Sequence, residues 1–330
     1  MEIVKISASA LDEFLTCPKR YYWNRVKNIQ PVERPEALDL GSAVHCGLAY
    51  VYTSLQNEQT DKEIIRQFAI DKVREYAEEH CMDDESTCKA IAIVDCYIDS
   101  EWDLLLNYEI LCIETYFKFR LQPFTKELLD VLSLDKEFWI HGYFDAVVKD
   151  RQSGHVLVIE HKTTGMMSDE YLQRSHIDYQ VSIYAMACKE VFGKCDGIIY
   201  DAISKPKHIM QTGETDEEFD LRKAASKTGR IKRKEAETKD QFISRVEASF
   251  CDESFRQEFI PCDEEWLKEQ AQDIESAIRL MMVMKRYHKC PGNCLKYGAC
   301  PYMDLCTRRV SLDNLGDKYV NVDEANEVEK

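Results

Sequence analysis

The sequence predicts an α/β fold with a helical N-terminal region, a strand-rich centre, and a long C-terminal helix leading into a cysteine cluster. Three observations carry this expectation. The stretch from Lys62 to about Glu114 is rich in Glu, Lys, Ala, Ile and Leu and almost free of Gly and Pro. The stretch from Lys136 to Thr164 is dense in aromatic and β-branched residues, broken by one polar turn. Cys290, Cys294, Cys300 and Cys306 then crowd into a short segment near the end.

Taken in order, Leu11, Phe14, Leu15, Tyr22 and Val26 suit a short helix interrupted at Pro18, with Cys17 in the turn. From Gly41, Val44, Leu48, Val51 and Leu55 form one helical stripe, with Ser42 as its cap and His45 beside it. Helices are expected from Lys62 to about Glu114. EFWIHGYFDAVV and HVLVIEHKTT read as two strands joined by a tight turn, and His176 to Phe192 reads as a helix stopped by Gly193. Asp196 to Ser204 is the next strand. Asp263 to Tyr287 is a long helix bearing Trp266, Ile274, Ile278 and Met281. The acidic tail after Val310 is expected to be disordered. These readings divide the chain into a helical region (1–130), a core (131–205), a basic insertion (206–261), a helix with the cysteine cluster (262–310) and a tail (311–330).

The 330 residues, 45% of them apolar, supply a substantial core. Leu280 to Met284 is too short an apolar run to cross a bilayer, and MEIVKISASALDEF lacks a signal-peptide pattern, so no membrane role is expected. Fourteen cysteines in a long chain of this kind point to buried thiols plus a metal or cluster in the cytoplasm. A net charge of -17 argues against nucleic-acid binding over the whole surface and restricts any such contact to a local basic patch.

On a strand, residues two apart share a face, so Glu160 and Lys162 project together while His161 points away. Asp145 ends the preceding apolar strand, and an antiparallel hairpin would bring it near Glu160. Two carboxylates at a sheet edge can hold a hard cation, Mg²⁺ or Mn²⁺, with Lys162 beside it to orient a water and offset charge on a phosphate. Taken singly, Asp145 also reads as a turn residue and Glu160 with Lys162 as a solvated pair. The order favours the site: a Gly-x-x-Asp strand, a polar turn, then an apolar strand ending in Glu-x-Lys, where buried charges cost free energy unless a ligand compensates.

With GYFD, IEHKT, GSAVH and YQVSIY in this order, the chain resembles the PD-(D/E)XK nuclease superfamily in its RecB-like exonuclease branch, over about Ser7 to Cys306. The resemblance implies a restriction-endonuclease-like core with a mixed central sheet. It further implies metal ligation by His45, Asp145, Glu160 and the backbone carbonyl of His161. Lys162 becomes the catalytic lysine, and Gln180 and Tyr184 form a helix motif that shapes the site or contacts DNA. The implied activity is metal-dependent hydrolysis of DNA, as an exonuclease in end processing or recombination. The layout after the core looks like phage and prophage versions of the family, placing the protein in a host cytoplasm if viral. Implied partners are single- or double-stranded DNA ends, and a recombination or CRISPR-adaptation protein such as an annealing protein or a helicase. A non-catalytic DNA-binding adaptor of the same fold, in CRISPR adaptation or its inhibition, is the alternative.

The cysteine spacing lacks the paired C-x-x-C knuckles of a zinc ribbon, whereas thiolate ligation of an iron–sulfur cluster tolerates irregular spacing. A Cys₄ zinc site, and with it a zinc-stabilised binding module, stays open. The iron–sulfur branch that the chain resembles uses one N-terminal and three C-terminal cysteines. This assigns Cys17, Cys294, Cys300 and Cys306 to a 4Fe-4S cluster, with Cys290 as the spare or as the replacement for Cys294. Finally, Arg222 to Lys239 holds eight Lys or Arg against two Glu. Lys223, Lys227, Arg230, Lys232, Arg233 and Lys234 are the candidate phosphate contacts, with Lys19 and Arg20 joining them; a solvated loop is the alternative.

Overall fold

The computed structural model describes residues 2–32, 36–120, 136–226, 231–296 and 298–322. Strand β1 (Glu2–Ser7) leads into helix α1 (Ala8–Thr16), the short α2 (Pro18–Tyr21) and a π-helical turn (Tyr22–Val26). After β2 (Ile29–Pro31) come three long helices, α3 (Glu36–Gln56), α4 (Lys62–Glu79) and α5 (Asp84–Leu106). The sheet is completed by β3 (Tyr108–Arg120), β4 (Lys136–Asp150), β5 (Val156–Thr164), β6 (Gly197–Ser204) and β7 (Phe255–Pro261). Among them lie α6 (Asp169–Arg174), α7 (Tyr179–Phe192), α8 (Asp216–Ala225) and α9 (Lys239–Glu247). The chain then forms α10 (Glu264–Val283), α11 (Met303–Thr307) and β8 (Tyr319–Asn321).

The sheet is mixed and runs β1-β4-β5-β6-β7, with β3 also on β4. Strands β1 and β6 lie parallel to β4 and β5 respectively, and the other pairings are antiparallel. One face packs on α3, α4 and α5 through residues such as Val44, Leu48, Val51 and Ile93. The other packs on α1, α7 and α10 through Leu11, Val181, Ile183 and Ile278. Each such fully buried aliphatic side chain contributes roughly 1.5–3 kcal/mol.

Several expectations are corrected. Ser42 does not cap a helix: α3 starts earlier, at Glu36, and the Ser42 hydroxyl donates to the Leu38 carbonyl within it at 3.1 Å. The helices end at Leu106, and Tyr108–Arg120 is a strand because its apolar residues pair with β4 rather than line a helix stripe. The sheet is not confined to residues 131–205, since β1, β3 and β7 come from outside that span. The helix expected from His176 begins at Tyr179, where the Asp178 side chain accepts from the Gln180 amide and fixes the start. It does end at Gly193, whose φ of 79° is a left-handed turn open to glycine. The long helix stops at Val283 rather than Tyr287. The described part of the tail is not disordered: Tyr319–Asn321 pairs with Ile29–Pro31, and Tyr319 is buried against Tyr302, which compensates the weak apolar content, while residues 323–330 lie outside the described residues.

Candidate active site

Strand β4 carries three neighbours. Along one edge, β1 covers it as far as His141 and β5 covers it from Ala146 onward. Asp145 lies in the interval, where β4 and β5 part and the end of β5, Glu160–Thr164, pairs with β6 alone. The Asp145 carboxylate fills part of the break by accepting from the His161 amide at 2.9 Å. Across β4's other edge, Ile113 pairs with Ala146 and Thr115 with Phe144, which sets Glu114 opposite Asp145. His45 comes down from α3, and its Nδ1 lies 3.3 Å from Asp145 Oδ1. The helix can approach this closely because Gly41, one turn earlier, has no Cβ; one there would stand 3.1 Å from Thr163 Oγ1. A cleft of about 660 Å³ opens over these groups, lined by His45, Glu114, Lys162, Thr163 and Lys205 among others.

The electrostatics are those of carboxylates crowded beside an imidazole and an ammonium. Burial and the neighbouring Asp145 charge push the Glu160 carboxyl up to about 7, and Glu160 is 1% exposed. Burial works against the Asp145 anion as well, but His45, His161 and Lys162 outweigh it and pull that carboxyl down to about 2. Burial opposes charge on His45, yet Asp145 raises it above the usual imidazole range. Burial likewise opposes the Lys162 ammonium, and Glu160 and Asp145 more than restore it. Lys162 Nζ sits 2.5 Å from Glu160 Oε1, and neither Glu160 oxygen has a hydrogen-bond partner besides that ion pair among the described residues. Ligand atoms of His45, Glu114 and Asp145 all lie within 4.8 Å of one another. One imidazole and oxygen donors, with an unsatisfied buried carboxylate next to them, suit a hard divalent cation.

A family model described as the PD-(D/E)XK nuclease superfamily matches residues 5–307. The chain belongs to that superfamily. A nuclease of this superfamily acts on DNA with divalent metals, and the His45, Glu114 and Asp145 group is a candidate place for them. Comparison with curated proteins finds no match. Among solved structures the chain is similar to one titled "Crystal structure of SSO0001", at 16% identity over 92% of this chain and 94% of that one, with a TM-score of 0.31. That likeness is too loose to carry function. No helix among the described residues is long and apolar enough to cross a membrane.

Of the residues expected at this superfamily site, His45, Asp145, Glu160 and Lys162 come together. The His161 ring does turn away, into the buried interior, where its Nδ1 lies 2.7 Å from Asp201 Oδ2 and Tyr97 donates its hydroxyl to the same oxygen at 2.7 Å. His161 and Asp201 meet because they are register partners on parallel strands. Gln180 Nε2 donates to the Tyr184 hydroxyl at 2.9 Å, and the Tyr184 ring packs on Phe117 and Phe144. Sequence reasoning missed Glu114 and Asp201. An acid within the continuous apolar strand GIIYDAIS was a readable signal for Asp201. Glu114, in a span read as helical, had none.

The cysteines also converge. The Asn293 side chain donates to the Thr16 carbonyl at 2.6 Å and the Cys300 amide to the Cys294 carbonyl at 2.8 Å, which brings the segments together, and burial followed by the Cys17 thiol pushes the Cys290 thiol up. Trp23 Nε1 donates to Cys306 Sγ at 3.4 Å. The basic insertion is partly neutralised: Arg222 pairs with Glu214, and Arg233 with Asp216, while Lys223 and Arg233 lie near the Phe219 ring. Lys227 and Arg230 lie outside the described residues. Arg20 is not a free phosphate contact, because its guanidinium pairs with buried Glu13 at 3.1 Å.

Proposed function

We propose that the protein is a Mg²⁺- or Mn²⁺-dependent deoxyribonuclease of the RecB-like iron–sulfur branch, acting as an exonuclease in DNA end processing or recombination. The observation that carries this reading is the gathering of an imidazole, carboxylates and one ammonium at the point where β4 and β5 part. His45, Asp145 and Glu160, with Glu114 and the His161 carbonyl, hold the cation. When bound, the cation supplies charge for the scissile phosphate and acidifies the attacking water. Lys162, kept protonated by Glu160, orients that water and offsets charge growing on the phosphate oxygens. Gln180 and Tyr184 shape the wall of the site.

Cys17, Cys294, Cys300 and Cys306 ligate a 4Fe-4S cluster in this reading, and Cys290, four residues before Cys294 in the chain, is the competitor for one place. The cluster's role is structural. Protein contacts already tie the same ends, since the Lys19 amide donates to the His288 carbonyl at 3.0 Å and the Asn293 side chain to the Thr16 carbonyl at 2.6 Å. Lys223, Lys232 and Lys234, with Lys227 and Arg230, serve as phosphate contacts, and a recombination or CRISPR-adaptation protein of a phage or bacterium is the partner class. The set of acids and lysine argues against a non-catalytic adaptor. The test is incubation of end-labelled single- and double-stranded DNA with Mn²⁺, comparing wild type with Asp145→Ala. Progressive shortening from the ends by wild type, abolished in the variant, supports the reading, and equal degradation by both overturns it.

A further inference from the structure

A second cleft, of about 1040 Å³, lies between the π-helical turn and the irregular segment after α10. Its lining includes Lys19, Lys285, Arg286, Lys289 and Arg308, and no Asp or Glu. In a chain with 60 acidic against 43 basic residues that is a concentrated exception. None of the five makes an ion pair with a carboxylate among the described residues, in contrast to Arg222 and Arg233 of the basic insertion. Four of the five are exposed. The walls are aromatic: the Tyr22 and Tyr287 rings lie 5.1 Å apart at 33°, and the Lys19 ammonium stands 4.0 Å from the centroids of both Tyr22 and Trp23.

We propose that this cleft binds single-stranded DNA, with phosphates on the cations and bases against the aromatic wall to which Tyr287 contributes. That the nucleic acid is DNA rests on the nuclease reading; that it is single-stranded rests on the cleft. Bases of a duplex are stacked on one another and cannot offer their faces to a side chain, whereas unstacked bases gain from an aromatic platform beside a positive groove. An acidic peptide would satisfy the cations but bring no planar group to the aromatic wall.

The test is fluorescence anisotropy of a labelled oligo-dT with the full-length protein in EDTA, where no cleavage intervenes. Tyr287→Ala should weaken binding about ten-fold and Tyr287→Phe should restore it, with duplex affinity little changed. The exposed pair Lys285→Glu and Arg286→Glu should flatten the salt dependence by about 0.7 in log–log slope for each phosphate no longer neutralised. In an Asp145→Ala background, which abolishes cleavage, Tyr287→Ala should still weaken oligo-dT binding, which separates failure of this cleft from failure of the catalytic assignment. Unchanged oligo-dT affinity in folded Tyr287→Ala, equal weakening for duplex, or competition by poly-glutamate as strong as by unlabelled oligo-dT would each overturn the proposal. If Tyr287→Ala melts below wild type, the charge-reversal pair decides: an unchanged salt slope overturns it.

Discussion

Glu114 faces Asp145 across the β3–β4 ladder at the place where both strands exchange one core for the other. Ile113 and Ala146 pack under α3 to α5, whereas Phe117 and Phe144, which simple alternation would put on that same face, lie in the opposite core. Glu114 has a φ of 43°, a left-handed conformation that costs a non-glycine residue about 1–3 kcal/mol. The exchange leaves the two acids outside both cores, with Glu114 lining the cleft and Asp145 beside His45.

Glu114→Gln should therefore weaken Mn²⁺ binding by about 10- to 100-fold while leaving the thermal melt unchanged. Titration calorimetry checks this, and an unaltered Kd would remove Glu114 from the ligand set.

Metal affinity should depend on pH through Glu160. Its carboxyl, raised to about 7 by burial and by Asp145, must lose its proton to take a cation, so Mn²⁺ binding should tighten as pH rises through that value and release a proton. The sign for stability is opposite. A raised carboxyl contributes stability below its unfolded range and loses it as pH climbs through about 7, so the metal-free protein should melt lower at pH 8 than at pH 5 unless Mn²⁺ is added. Asp145, pulled down to about 2, loses its contribution only at strongly acid pH. A Kd flat between pH 6 and 8 would contradict the Glu160 assignment.

Lys162→Met should retain metal binding yet slow single-turnover cleavage by about 100- to 1000-fold. Because the ammonium lowers the Glu160 carboxyl, its removal should also move the metal-binding pH profile upward. Cleavage at the wild-type rate would show that the lysine only neutralises Glu160.

Asp201→Ala should destabilise the fold by about 2–4 kcal/mol, since it strands the buried His161 ring and the Tyr97 hydroxyl, and Tyr97→Phe by only about 1 kcal/mol. Urea unfolding measures both. Equal, small losses would mean that the network is not holding this part of the sheet.

Among the cysteines, single serine variants at Cys290 and Cys294 should differ. The one that keeps a brown chromophore and its full iron content identifies the spare thiol. Colourless wild type containing zinc instead would replace the cluster reading altogether.

Local sequence made much of the site readable. Strand periodicity put Glu160 and Lys162 on one face with His161 on the other, the polar turn implied the hairpin that brings Asp145 to Glu160, and helical spacing set Gln180 beside Tyr184. Other features were hidden for a reason that is also physical. Tyr108–Arg120 and Glu2–Ser7 are strands only because β4 is long enough to pair with both, one along each edge.

Residue identity and short-range period determine which groups can act and which neighbours they have along one element, because backbone geometry repeats every two or 3.6 residues. Tertiary structure alone decided that Glu114 meets Asp145 and His45, and that Lys19 and Tyr22 meet Tyr287 and Lys289 across most of the chain. Those contacts depend on inter-strand register, on one left-handed residue and on the docking of the two chain ends, none of which leaves a local period to read.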